Sequence, residues 1–232
     1  LEAYVNGSWK LVDTWVWDSR IEVVLYSLII DIHNINGEDI HELARNNIVV
    51  QLLKNGGEIG QEDAYEVDSQ TVRVCFWDLG PGTYTFKVYR TANYNELVFQ
   101  TEFWGLGSVN VDSDESVTFT RNMPTFYEIQ PRGTVSSNQS LSPYVQARGG
   151  SQSYSCRATL KYSASKNYSY PDVTRTTDAK TVSAGVGTIT TIYANQTVSF
   201  SQGSNVYGVL EANVGGSWLT VDSWVWSSLY VQ

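Results

Sequence analysis

Few residues in this chain are of a type and spacing that could do chemistry. There are two histidines, His33 and His41. On a strand, Asp31 and His33 would share a face, and a carboxylate there could orient an imidazole as a general base. No nucleophile motif such as GxSxG accompanies them. Carboxylates cluster at Asp112-Ser-Asp114-Glu115 and at Glu62-Asp63. Oxygen ligands so arranged could hold calcium, and a solvated acidic turn is the plainer reading. HExxH, a phosphate-binding loop and a Cys/His spacing for zinc are all missing from the sequence. A glycosidase pair would depend on the spatial separation of two carboxylates, which spacing along the chain does not set. The expectation is a non-catalytic protein with no metal and no cofactor.

Cys75 and Cys156 are too few for a disulfide framework. They could bridge two domains or two subunits, or stand as two buried thiols. Four Asn-x-Ser/Thr sequons, at Asn6, Asn138, Asn167 and Asn195, point to an exported glycoprotein.

The elements that would carry these residues announce themselves by a duplication. Residues 1–19 and 210–228 are identical at thirteen of nineteen positions. Both read as β-hairpins around Asn6-Gly7 and Gly215-Gly216, dipeptides that supply the positive φ of a tight turn. On the return strand, Asp13, Trp15 and Trp17 share one face and Val12, Thr14 and Val16 the other. Two readings stand side by side. The tryptophans pack into a sandwich core, or they form an exposed pair that stacks on sugars or on another subunit. The assembly residues expected from the first copy are Val5, Trp9, Val12, Trp15 and Trp17. Their equivalents in the second are Val214, Trp218, Val221, Trp224 and Trp226.

The bulk properties narrow the class. The chain has 232 residues, 42% of them hydrophobic and 13% aromatic, with a net charge of −9. That charge argues against nucleic acid, because little here would neutralise phosphates. The longest apolar run, Val23 to Ile30, is too short to span a bilayer and is broken by Tyr26 and Ser27. No signal peptide is read at the start, so a mature, trimmed or internal stretch is expected.

In chain order, short runs with period-two alternation are separated by turn signals. Strands are expected at Ile48–Leu53, Thr71–Trp77, Thr83–Tyr89, Leu97–Trp104 and Ser116–Thr120. After Thr125, where Ser, Thr, Tyr and Gly rise, further strands are expected at Phe126–Gln130, Leu141–Arg148, Tyr154–Ser163, Lys180–Ser183 and Thr188–Phe200. Val206–Ala212 then leads into the second hairpin. This spacing predicts an all-β protein of two tandem sandwiches. Residues 1–19 form a hairpin donated to a neighbouring unit, 20–124 a first sandwich, and 125–232 a second sandwich closed by hairpin 210–232.

The phrases Ile29-x-Asp31-x-x-Asn34-x-Asn36-Gly37, Val49-Val50-x-Leu52 and Val74-x-Phe76-x-Asp78-Leu79-Gly80-Pro81-Gly82-Thr83-Tyr84-Thr85-Phe86 resemble the prealbumin-like (carboxypeptidase-regulatory-like) sandwich, over about residues 24–120. The resemblance implies a non-catalytic spacer or adhesive module of secreted proteins. Some pilin relatives carry a Lys–Asn isopeptide assisted by an acid in the strand after that tyrosine. Val88 occupies the acidic position here, so the crosslink is not expected. The second half resembles an immunoglobulin-like domain. Ser183-Ala-Gly185 and Tyr207-x-Val209-x-Glu211-Ala212 are similar to adhesion-type repeats of archaeal and bacterial surface proteins.

These readings converge on an extracellular structural protein, a subunit or repeat unit of a filament, pilus or surface layer. It would join copies of itself by adding the first hairpin to a neighbour. The alternative is a module that binds glycans or cell surfaces through exposed Trp and Tyr.

Overall fold

In a computed structural model of the chain, the structure describes residues 2–11, 23–34, 40, 47–94, 98–132, 140–199 and 205–226. The regular elements among them are all β-strands, organised as two tandem sandwiches behind a small hairpin.

The hairpin is β1 (Glu2–Val5) and β2 (Ser8–Leu11), turned by Asn6 at φ 53° and Gly7 at φ 84°. Among the described residues it is a two-stranded sheet of its own.

The first sandwich begins at β3 (Tyr26–His33), β4 (Ile48–Lys54), β5 (Gly57–Asp63), β6 (Tyr65–Asp68) and β7 (Thr71–Leu79). It is completed by β8 (Gly82–Tyr94), β9 (Val98–Val111) and β10 (Glu115–Thr120). One sheet runs β10-β3-β7-β6, with β10 parallel to β3, and the other runs β5-β4-β8-β9. The alternating residues Leu28, Ile30 and Ile32 meet Val50, Leu52, Phe86 and Val88 in a single core. Phe86 and Phe119 pack edge to face at 5.9 Å. Gly107 pairs with Phe86 across β8–β9, and a Cβ there would lie 2.2 Å from the phenyl Cζ, so only glycine fits. Ile40, fully buried, also joins this core.

The second sandwich follows with β11 (Thr125–Gln130), β12 (Ser140–Leu141), β13 (Tyr144–Arg148), β14 (Tyr154–Ser163) and β15 (Val173–Thr176). Its remaining strands are β16 (Lys180–Val182), β17 (Ile189–Tyr193), β18 (Val198–Ser199), β19 (Asn205–Val214) and β20 (Ser217–Trp226). The sheets β11-β13-β17 and β15-β14-β19-β20 enclose Ile129, Val145, Ala158, Leu160, Val206 and Leu210. The strand expected at Tyr154–Ser163 has those bounds.

Three strands carry no sequence signal: β5, β6 and β15. The first two expose nearly every side chain and the third alternates without a buried residue. Backbone pairing to an inner neighbour holds such edges, so no apolar alternation marks them. The polar segment 38–47, which by its sequence could hold one helical turn, lies outside the described residues apart from Ile40 and Asn47.

Candidate functional site

The β8–β9 hairpin, with strands of 13 and 14 residues, is about 40 Å long at roughly 3.3 Å per residue. Its base lies in the first sandwich. Beyond a bulge at Val88/Tyr89 it reaches the second. Trp104 is the extra residue of that bulge, fully buried in the first core, whereas Phe103 beside it belongs to the second. A bulge re-aims the residues beyond it, and here the far end of the hairpin lands on β20.

That landing point is a buried polar clasp. Glu102, with 0% exposure, accepts from Ser223 Oγ at 2.5 Å, from Trp104 Nε1 at 3.1 Å and from Arg90 at 3.2 Å. Tyr94 OH donates to the Ser223 carbonyl. Arg121 pairs with Asp222 at 2.9 Å, donates to the Val221 carbonyl at 2.6 Å and lies over the Trp104 ring at 4.7 Å. The second Asp222 oxygen accepts from Phe126 N–H at 2.6 Å. Tyr207 OH donates to Gln100 at 3.1 Å. Arg90 and Arg121 balance Glu102 and Asp222, as buried charges require. Burial and then the nearby charge of Asp222 raise the Glu102 carboxyl above the usual range. Burial and Glu102 likewise raise Tyr94. Ser, Glu and Tyr in contact could suggest acid–base chemistry, but Glu102 and Ser223 are sealed from solvent. The cluster acts as a lock between the sandwiches.

The duplicated stretch supplies one half of this lock. Gly215 and Gly216 turn the second hairpin at φ 58° and 90°, and β19 pairs with β14 from Asn205 to Ala212. A second bulge makes Val221 the unpaired residue opposite Leu210/Glu211. It splits the tryptophans between faces, which plain alternation could not foresee. Trp218 lies under Arg157, 4.4 Å from the guanidinium, and Arg157 also pairs with Glu211 at 2.8 Å. Trp224 and Trp226 pack half-buried against the second core beneath Arg132, at 5.8 and 5.9 Å. Val214 packs there too, and Val221 is fully buried.

In the first hairpin, Val5 pairs with Ser8 and Tyr4 with Trp9, whose side chain is 68% exposed. Val12, Trp15 and Trp17 lie outside the described residues, as do Asn138 and His41. Asn6 and Asn167 are exposed, and Asn167 Oδ1 accepts from Tyr170 N–H. Asn195 is exposed and donates through Nδ2 to Asp178 at 2.6 Å.

Cys75 and Cys156 do not bond to each other. Both are free thiols, Cys156 sealed in the second core and Cys75 half-buried on the first sandwich beside Tyr65 OH. Burial pushes the Cys156 thiol up to about 12. Asp31 binds Arg73 with both oxygens, at 2.6 and 2.8 Å, and that guanidinium holds its carboxyl below the usual range. It therefore orients an arginine, and not His33. Asp114 accepts from Ser27 N–H and Oγ–H, Asp112 from Asn110, and Glu115 from Ser113. No group of three His, Cys, Asp or Glu among the described residues could hold a metal ion.

No protein family matches the chain, and no curated protein does. Among solved structures it is similar to a DUF3823 family protein from Bacteroides uniformis, at 13% identity over 86% of this chain and 98% of that one, with a TM-score of 0.30. A DUF3823 protein from Bacteroides ovatus matches at 7% identity over 87% of this chain and 98% of its own, with a TM-score of 0.32. BcpA, the major pilin subunit of Bacillus cereus, in a D312A form, matches at 11% identity over 87% of this chain and 69% of its own, with a TM-score of 0.34. Likeness at this level leaves the function to be argued from the residues themselves.

Proposed function

We propose that this chain is a non-catalytic structural unit of an extracellular or cell-surface assembly, and that the duplicated hairpin joins one unit to the next. One observation carries the reading. Two copies of one hairpin sequence are in different circumstances. The second completes a sandwich and locks it to its neighbour. Among the described residues, the first makes a two-stranded sheet of β1 and β2 with Trp9 exposed. An isolated two-stranded hairpin is marginal in water, and strand addition to another unit would stabilise it. The resemblance of the two halves to prealbumin-like and immunoglobulin-like sandwiches, and the sequons, fit an exported module.

The test compares the full chain with a form lacking residues 1–19, by sedimentation velocity and negative-stain electron microscopy. Loss of oligomers or filaments on deletion supports the reading, and unchanged assembly refutes it.

A second reading, glycan adhesion, draws on a different surface from the tryptophans. Tyr144 and Tyr193 pair at 5.6 Å on the outer face of β13–β17, and Tyr193 is 58% exposed. Beside them Gln146 donates to Thr191, and Arg148 lies 5.5 Å over the Tyr127 ring. Tyr193→Ala should abolish any glycan-array signal, and retention of that signal would dismiss this face.

A further inference from the structure

Two domains in one chain are ordinarily joined by an exposed, flexible linker that few contacts cross. The join here is of another kind. β10 ends at Thr120 and β11 begins at Thr125, and of the residues between them Arg121, Met123 and Pro124 are buried. Arg121 N–H donates to the His33 carbonyl of the first sandwich, while its side chain pairs with Asp222 of the second. The Asn122 carbonyl accepts from Ser151 N–H at 3.0 Å, and a Cβ on Gly150 would lie 2.1 Å from that oxygen, so the two backbones touch. The β8–β9 hairpin makes a second crossing. Beyond its bulge, the rings of Tyr89 and Phe103 lie 5.5 Å apart and pack with the second core. Arg90 is held by its backbone to Ile48 of the first sandwich and by its side chain to Glu102, which takes Ser223 of the second. At the tip, Tyr94 lies 6.4 Å from Tyr207, and Tyr207 lies 5.7 Å from Tyr168. Tyr207 and Ser223 stand on the face of β19–β20 turned away from Val206 and Leu210 in the core. The outer half of the hairpin covers that face as a third layer, and with Tyr168 it leaves Tyr207 only 3% exposed.

We infer that the two sandwiches form a single cooperative unit, in folding and under load, with the outer half of the β8–β9 hairpin as a brace that neither can lose. When the first sandwich opens, β8 leaves β4. In the same event the second sandwich loses Phe103 from its core, Asp222 loses Arg121, and Ser223 loses Glu102. Buried polar groups left unpaired in this way disfavour any state in which one sandwich is open and the other closed. A row of such units would bend at the joints between units and stay stiff within each. The inference goes beyond the reading of the first hairpin as the joint, and it holds whatever joins the units.

The first test is single-molecule pulling of the full chain, held at its two ends. The 232 residues have a contour length of roughly 80 nm, and one unfolding step releasing most of it is expected. Two separate steps of roughly 40 nm each overturn the inference. The second test places a cavity in the first core and reads the second. Ile30 is fully buried in the first core, and Cys156 is fully buried in the second, where its thiol reacts only on opening. In the full chain, Ile30→Ala should speed alkylation of Cys156 at a fixed, sub-denaturing urea concentration by at least about tenfold. Where the alanine variant does not fold, Ile30→Val should speed it at least about twofold. An unchanged Cys156 rate in a folded Ile30 variant overturns the inference. Deleting residues 1–19 tests the joint alone, so loss of the joint and loss of the single unit are read by different experiments.

Discussion

Replacing Asp222 by alanine probes the lock between the sandwiches at its most exposed assumption, that the buried charges hold one another. The side chain pairs with Arg121, itself 4% exposed, and accepts the Phe126 N–H. Removing one partner of a buried pair costs about 3–5 kcal/mol, because the other charge stays behind without compensation. The orphaned Phe126 N–H adds about 1 kcal/mol. At roughly 2–4 °C per kcal/mol for a chain of this size, Tm should fall by about 10–20 °C. Asp222→Asn should cost less, because the amide oxygen still accepts from Phe126. The double variant Arg121→Met, Asp222→Leu should recover most of the loss, since an apolar pair of similar volume leaves no buried charge. The assay is differential scanning calorimetry of all four proteins. A fall below about 3 °C for Asp222→Ala, or a double variant no better than the single, would refute the account.

Glu102 gives a prediction in pH. Its carboxyl is raised in the folded protein, so its stabilising contribution is complete below the unfolded value and is lost as pH rises through the folded one. Wild type should therefore gain Tm relative to Glu102→Gln on going from about pH 7 to about pH 5; parallel profiles would sink the assignment. Cys156, sealed in the core with its thiol at about 12, should resist alkylation in the folded protein while half-buried Cys75 is modified first; mass spectrometry after a timed iodoacetamide pulse reads the order, and equal rates would count against the packing. Gly107→Ala places a Cβ 2.2 Å from the Phe86 ring and should cost about 1–3 kcal/mol by urea unfolding, with a neutral result showing that the ring can move aside.

Much of the strand content was legible because buried strands leave an apolar trace. Tyr154, Cys156, Ala158, Leu160 and Tyr162 alternate along β14, and Tyr84, Phe86 and Val88 along β8. β5 and β6 left none, since nearly every side chain on them faces water while the backbone pairs with an inner strand. The lock was illegible for a different reason. Arg90, Glu102 and Arg121 look in sequence like ordinary surface charges, and the partners in the ion pair Arg121–Asp222 stand 101 positions apart. A local hint was Asp13/Asp222, an acid held unchanged between a valine and a hydroxyl residue in both copies.

By itself, the sequence determined that the chain is all-β, that its two ends share one hairpin, and that its charge disfavours nucleic acid, because periodicity, repetition and composition are local or additive properties. Only the tertiary structure decided what the second copy packs against. Two bulges, at Trp104 and Val221, each shift one strand by a residue. A one-residue shift exchanges the faces of a strand, and these two bring Glu102 and Asp222 into the same buried junction.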